Sequence, residues 1–201
     1  EYDVFSKAPN NLGKLYELGL KEADETFLVY QDERYSFAET LNMAQRFARA
    51  LKENYDISHG DRVAICARNS PEWCLAYMAI SILGAIIVPM NSWWKGTELE
   101  YGLRDSGSKL AILDQARFEQ LKPYIASLAI DVILIKPEQE SVYPEFYSLL
   151  EDLEPLSQEE ITALNVVPED DASIMYTSGS TGVPKGVLST HRGIINALYT
   201  W

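Results

Sequence analysis

Cysteine and histidine are scarce in this chain: its 201 residues contain two of each, Cys66 and Cys74, His59 and His191. The cysteine spacing fits neither a zinc site nor a redox pair. The two histidines have no evident partner, so they support no Ser-His-Asp constellation. Both thiols fall in apolar runs and are expected to be buried and reduced, as suits a reducing cytoplasm. Basic residues are also thinly spread. Thirty acids face 17 Lys and Arg, a formal charge of −13, yet eleven of those acids lie between Pro137 and Pro184, where no Lys or Arg occurs. The remainder is nearly balanced, 19 acids to 17 bases. No cluster of cations faces a phosphate backbone, which disfavours a nucleic-acid partner. The acidic stretch, about residues 137–171, reads as weak helices and a solvated connecting surface rather than a metal or partner site. The opening Glu1-Tyr2-Asp3 lacks the basic-then-apolar pattern of a secretory signal.

Charge is absent altogether from Trp73 to Trp94, 22 residues that could in principle span a bilayer. Gly84 and Pro89 interrupt that run, and Ile86-Ile87-Val88 reads as a short strand after a helix ending near Leu83. A buried helix followed by a buried parallel strand has the same hydropathy and is the better reading, so no integral membrane span is expected. With 47% hydrophobic and 11% aromatic residues, the chain has the composition of a folded protein with a real core. At about 150 residues per domain the length allows one domain or two small ones.

Helices and strands alternate along the chain. An amphipathic helix over Leu12–Lys21 leads to the strand Phe27–Tyr30 and a turn through Asp32-Glu33-Arg34. Ser36 and Glu39 form a capping box for a long helix in which Phe37, Leu41, Ala44, Phe47, Ala48 and Leu51 recur at helical spacing. Gly60-Asp61 turns into the strand Arg62–Ala67, and Ser70-Pro71 starts the next helix with proline at its first position. After Ile86–Val88, Thr97 and Glu100 suggest a second capping box, with Gly107 as the C-terminal cap. Lys109–Asp114 is a strand, Gln115–Ser127 a helix, Asp131–Ile135 a strand, and Ala172–Tyr176 another. The expected fold class is α/β, with a mostly parallel sheet covered by helices on both faces.

One loop carries chemistry. Ser178-Gly179-Ser180-Thr181-Gly182 follows a strand, and its small residues let backbone N–H groups approach an anion, as phosphate cradling requires. Thr177, Ser178, Ser180 and Thr181 add hydroxyl donors, and Lys185 adds the cation. A Gly/Ser-rich stretch is also the composition of a flexible linker. Here it is flanked by the apolar runs Ile174-Met175-Tyr176 and Val187-Leu188, so it is expected to be held by a sheet. Gly179 and Lys185 have the spacing of a Walker A loop, but Pro184 stands where its second glycine belongs and Gly186 where its magnesium-binding Ser or Thr belongs. A strand rather than a helix is expected to follow.

The string Ile174-Met-Tyr-Thr-Ser-Gly-Ser-Thr-Gly-Val-Pro-Lys-Gly-Val187 resembles the signature of the adenylate-forming (AMP-binding) superfamily, which includes acyl-CoA synthetases, peptide-synthetase adenylation domains and luciferases. Arg34–Glu39, Gly60–Ile65, Asn69–Trp73 and Leu83–Asn91 are similar to further segments of that family. Asn91–Trp94, Glu98–Tyr101 and Asp105–Gly107 look more like fatty-acyl or other carboxylate-CoA ligases.

The resemblance implies that residues 1–201 are the N-terminal portion of an adenylation domain, part of the family's large N-terminal domain. It further implies an AMP-forming ligase that activates a carboxylic acid, a fatty acid being preferred, with ATP and Mg2+ and passes the acyl group to CoA. Thr177, Ser178, Gly179, Ser180, Thr181, Gly182 and Lys185 would hold the nucleotide phosphates. Lys185 would be the one catalytic residue carried here, the family's main catalytic lysine and magnesium ligand having no counterpart in this chain. An isolated fragment is then expected to be inactive. An amino-acid-activating peptide-synthetase domain and a noncatalytic nucleotide-binding module are the alternatives. His191 is expected to be satisfied by local hydrogen bonds at a helix start, and His59 to be a plain surface residue. No metal-ligating set is read from this chain, and neither the acyl substrate nor the oligomeric state is legible in it.

Overall fold

The computed structural model describes residue 5 and residues 7–177 and 183–200. Helix α1 (Leu12–Glu17) begins at Asn11, whose side chain accepts from the Lys14 N–H, and continues as a 3-10 turn over Leu18–Glu22. The expected ten-residue helix is thus divided at Leu18, and in its 3-10 part Gly19 lies on Phe37 so closely that a Cβ would sit 2.5 Å from its ring. Strands β1 (Thr26–Tyr30) and β2 (Glu33–Ser36) form a small antiparallel hairpin. The stretch expected to be only a turn therefore enters a strand at Glu33, with the reversal confined to Gln31-Asp32.

The capping box at Ser36 and Glu39 forms as expected and opens α2 (Phe37–Tyr55). The apolar stripe of α2, with Phe47 and Leu51 fully buried, packs on α3 (Pro71–Ile82) and on one face of the main sheet. Truncating a buried aromatic such as Phe47 to Ala costs about 3–5 kcal/mol. That sheet has six strands in the order β6-β5-β3-β4-β7-β8. These are β3 (Arg62–Cys66), β4 (Ile86–Pro89), β5 (Leu110–Asp114), β6 (Asp131–Ile135), β7 (Asp171–Thr177) and β8 (Lys185–Thr190). All neighbouring pairs are parallel except β7 with β8.

The two-residue alternation of the strands divides their side chains between two cores. Val63, Ile65, Ile87, Leu110, Ile112 and Ile133 meet α2 and α3, whereas Ala64, Cys66, Val88, Ala111, Leu113 and Val132 meet the helices of the opposite face. Burial on both faces is why these strands are unbroken apolar runs in sequence. The second face is covered by α4 (Gly96–Ser106), α5 (Gln115–Leu121) and α6 (Ile125–Leu128). The expected single helix over 115–127 is broken at Lys122-Pro123-Tyr124, where proline has no N–H to continue the ladder. The second capping interaction also differs: Glu98, not Glu100, turns back to the helix start, accepting from the Lys95 N–H at 2.9 Å. Glu100 pairs with Arg104 instead. Gly107 closes α4 at φ +62, as its position suggests.

Residues 137–171 are more than a solvated connector. Their acids are largely exposed, but Phe146, Leu150 and Leu156 are buried in the α2–α3 core. Arg46 and Arg49 of α2 donate to the carbonyls of Leu150, Leu153, Glu154 and Pro155. The short helix α7 (Gln158–Ala163) is then tied to Arg49 through Glu160, at 2.8 Å. The chain's last described helix is α8 (His191–Tyr199). Cys66 is buried as expected; Cys74 is only half-buried. Among the described residues no helix is long and apolar enough to cross a membrane: Trp73–Trp94 is α3, a glycine turn at Gly84 (φ +69) and β4.

Candidate phosphate-binding site

Strands β7 and β8 pair in register with Thr177 opposite Lys185 and Tyr176 opposite Gly186. The loop between them is therefore carried on the tip of an antiparallel hairpin at the sheet, as the flanking apolar runs suggest. Of the residues expected to hold phosphate, Thr177 ends one stem and Lys185 begins the other, both exposed, with the Thr177 hydroxyl donating to the Lys185 carbonyl at 3.4 Å. Ser178, Gly179, Ser180, Thr181 and Gly182 lie outside the described residues. A strand follows Pro184, so the arrangement departs from a Walker loop, in which a helix follows.

The stems are held by close packing. At Gly186 a Cβ would fall 2.8 Å from Ile174 Cγ2, so glycine leaves room for the Ile174 side chain beside β8, while the Tyr176 ring would be in ordinary contact at 3.5 Å. That ring meets Trp94 edge-on, with centroids 5.6 Å apart. The Tyr176 hydroxyl donates to Asp105 Oδ2 at 2.7 Å and faces the Gly102 carbonyl at 3.3 Å. Burial and then the Asp105 carboxylate raise the Tyr176 pKa, keeping the phenol a donor. The Tyr101 hydroxyl lies 3.3 Å from the Pro184 carbonyl and 3.4 Å from Asp105 Oδ1. Asp105 and Tyr101 fall in segments noted for their family likeness but were not singled out as site residues, since the partners that tie them to the hairpin are 71 and 83 residues away along the chain.

Neither histidine behaves as its neighbours in sequence suggest. His191 is fully buried, and its Nδ1 accepts from the Leu12 N–H at 3.2 Å, a contact across 179 residues rather than a local one. Thr190, not His191, caps α8 by accepting from the Gly193 N–H. Burial lowers the His191 pKa to about 4, so the ring is neutral at physiological pH. His59 is not a plain surface residue either: its Nε2 lies 2.8 Å from Asp170 Oδ2, and Asp170 also accepts from the Val167 N–H. These contacts join α8 to α1, and the segment before β7 to the turn before β3.

A further polar cluster sits beyond the carboxyl ends of β3 and β6. Glu72, in the first turn of α3, is fully buried; its Oε1 accepts from the Tyr147 hydroxyl at 2.6 Å and pairs with Lys136 Nζ at 2.9 Å. Lys136 also pairs with Glu33 at 3.2 Å. Burial alone would raise the Glu72 carboxyl, but its polar neighbours Ser70, Tyr147 and Lys136 hold it below its ordinary value. The signal in sequence was a lone acid at the start of an otherwise uncharged helix.

Residues 18–201 match the family model described as "AMP-binding enzyme". Among curated proteins, the chain is 30% identical over 176 residues to 4-coumarate–CoA ligase 2 of Oryza sativa subsp. japonica, covering 82% of this chain and 30% of that protein. It is 32% identical over 179 residues to tyrocidine synthase 3 of Brevibacillus parabrevis, covering 89% of this chain and 2% of that one. Among solved structures, a Mycobacterium tuberculosis fatty acyl CoA synthetase superposes with a TM-score of 0.77 at 28% identity, over 90% of this chain and 34% of that one. The chain spans less than a third of the length of that coumarate ligase.

Proposed function

The chain belongs to the AMP-binding enzyme family, and on that premise we propose that it is the N-terminal portion of an adenylation domain whose full-length protein makes acyl-CoA from a carboxylic acid, ATP and CoA. The observation that carries this reading is the hairpin: a Ser/Thr/Gly loop on paired stems, with the Thr177 hydroxyl and Lys185 at its base. In the proposed reaction a carboxylate oxygen attacks the α-phosphorus of ATP. The bond to the β-phosphate oxygen breaks, leaving acyl-AMP and pyrophosphate. The CoA thiol then attacks the acyl carbon, AMP departs, and the thiol proton passes to solvent. Mg2+, when bound, would neutralise phosphate charge.

This chain's own contribution is to hold the β- and γ-phosphates. Thr177 and Lys185 fit that task by chemistry and placement, one a hydroxyl donor and one a cation on adjacent stems, and Ser178, Gly179, Ser180, Thr181 and Gly182 complete the proposed set. Lys185 would offset the charge that develops on departing pyrophosphate, which is where fixed charge accelerates the step. The 201-residue chain alone would not complete the reaction. A fatty acid is the proposed substrate, supported by the likeness to the fatty acyl CoA synthetase. A second reading, an amino-acid-activating domain, is favoured by the match to tyrocidine synthase 3.

The test is ATP–pyrophosphate exchange by the full-length protein across fatty, aromatic and amino acids, followed by thioester formation with CoA. Exchange with fatty acids supports the proposal and exchange with amino acids alone supports the second reading. No exchange with any of them refutes both. Titration of the 201-residue chain with Mg-ATP is expected to show weak binding; tight binding would contradict the assignment of most of the nucleotide pocket to residues outside it.

A further inference from the structure

The hairpin that carries the loop overhangs the sheet. Strand β7 registers with β4 at Ser173 opposite Ile87, and β4 ends at Pro89, so Tyr176 and Thr177 run past the end of their parallel neighbour. On the other side β8 is the last strand of the sheet, and Lys185 to Leu188 are all exposed. A two-stranded ribbon has little stability by itself. Its tip is met by α4 and by Trp94, just before it. Asp105, in the last turn of α4, meets one stem directly and the other through a neighbour on its own helix: Oδ2 accepts from Tyr176, the residue before Thr177, and Oδ1 faces Tyr101, whose hydroxyl also faces the carbonyl of Pro184, the residue before Lys185.

We propose that α4 is the seat of the phosphate clamp, with Asp105 a positioning residue that fixes Thr177 and Lys185 relative to each other through Tyr176 and Tyr101. The proposal rests on reading the hairpin as the phosphate site. Each phenol has one proton, and this ranks the contacts. Tyr176 sends its proton to a carboxylate oxygen at 2.7 Å, a short charge-assisted bond. Tyr101 shares its proton between two acceptors at 3.3 and 3.4 Å, each a weak bond. Gly186 is the cross-strand partner of Tyr176 in the exposed stretch of β8, so a shift of Tyr176 is passed to the residue next to Lys185.

The decisive measurement is the KM for ATP against the KM for the carboxylate, in pyrophosphate exchange by the full-length protein. Asp105→Ala and Tyr176→Phe are each expected to raise the KM for ATP about tenfold, the loss of one charge-assisted hydrogen bond. Tyr101→Phe should raise it only about two- to threefold, because both of its contacts are long and weak. Asp105→Asn, whose amide oxygen still accepts, should fall between wild type and Asp105→Ala. The KM for the carboxylate stays constant throughout. An unchanged KM for ATP overturns the proposal, as does a parallel rise in both constants with a lowered melting temperature, which marks a structural role alone. A wild-type protein that exchanges with no carboxylate refutes the enzymatic reading instead. The anchoring is then decided by amide hydrogen exchange over residues 183–188, which Asp105→Ala is expected to accelerate severalfold; unaltered exchange there overturns it.

Discussion

Protonating His191 should detach the start of α1 from α8, and the cost can be worked from the structure. Nδ1 accepts from the Leu12 N–H, which requires the neutral ring, and burial has lowered the pKa from 6.5 to about 4. Asp170 is the nearby group that favours the charged form, and His59 opposes it. Because the folded pKa lies below the unfolded one, the unfolded chain binds more protons between pH 6.5 and 4, so stability falls as pH falls through that window. The cost is small at pH 7 and reaches about 2 kcal/mol at pH 5, within a full value of about 3 kcal/mol below pH 4. For a protein of this size that is a fall of about 4–8 °C in melting temperature between pH 7 and 5. The comparison is with His191→Asn, which can place an amide oxygen near the position of Nδ1 and does not titrate. Denaturation of both proteins at pH 7, 6 and 5 should show the wild type losing about 2 kcal/mol more than the variant. A His59→Gln control removes the chain's other histidine. Parallel losses in wild type and His191→Asn would refute the reasoning.

Lys185→Ala should lower kcat/KM for ATP in pyrophosphate exchange at least about tenfold. The melting temperature should change by less than about 1 °C, because Lys185 is exposed. Gly186→Ala places a methyl 2.8 Å from Ile174 Cγ2, and overpacking of this kind costs about 1–3 kcal/mol, read as a lower denaturation midpoint with an unchanged slope. Glu72→Ala should destabilise by about 3 kcal/mol through loss of the buried partner of Lys136 and Tyr147, and Glu72→Gln by less, because it keeps an acceptor for Tyr147. Since the Glu72 carboxyl sits below its ordinary value, its stabilisation is present above the unfolded carboxylate pKa and lost as pH falls through the folded one; Glu72→Gln should lack that acid limb in denaturation curves.

What could be read from sequence divides by the range of the cause. The helix starts at Ser36 and Ser70, the glycine stop at Gly107 and the apolar strands β3 to β6 are set by residues within one turn or one pleat of each other, and they stand where their pattern places them. Local signals mislead where two of them overlap. Lys95–Glu98 and Thr97–Glu100 have the same spacing, and in the structure Glu98 turns back to the helix start while Glu100 meets Arg104. Pro123 and the short charged strand β2 fail for a related reason: each departs from the periodicity of the segment around it. The proposed phosphate loop stands out in sequence because such a task demands small residues, hydroxyls and a cation in one stretch, while the contacts proposed to support it do not, because a carboxylate beside two stems need only arrive there in space. The same holds for His191, whose acceptor serves an N–H at the far end of the chain. A loop that binds charged phosphates through backbone and short side chains gains from being held before the ligand arrives, since ordering deferred to binding is subtracted from affinity. The proposed motif therefore describes the ligand's side of the site, and the tyrosine–aspartate contacts of α4 describe what the fold would add to make that motif a clamp.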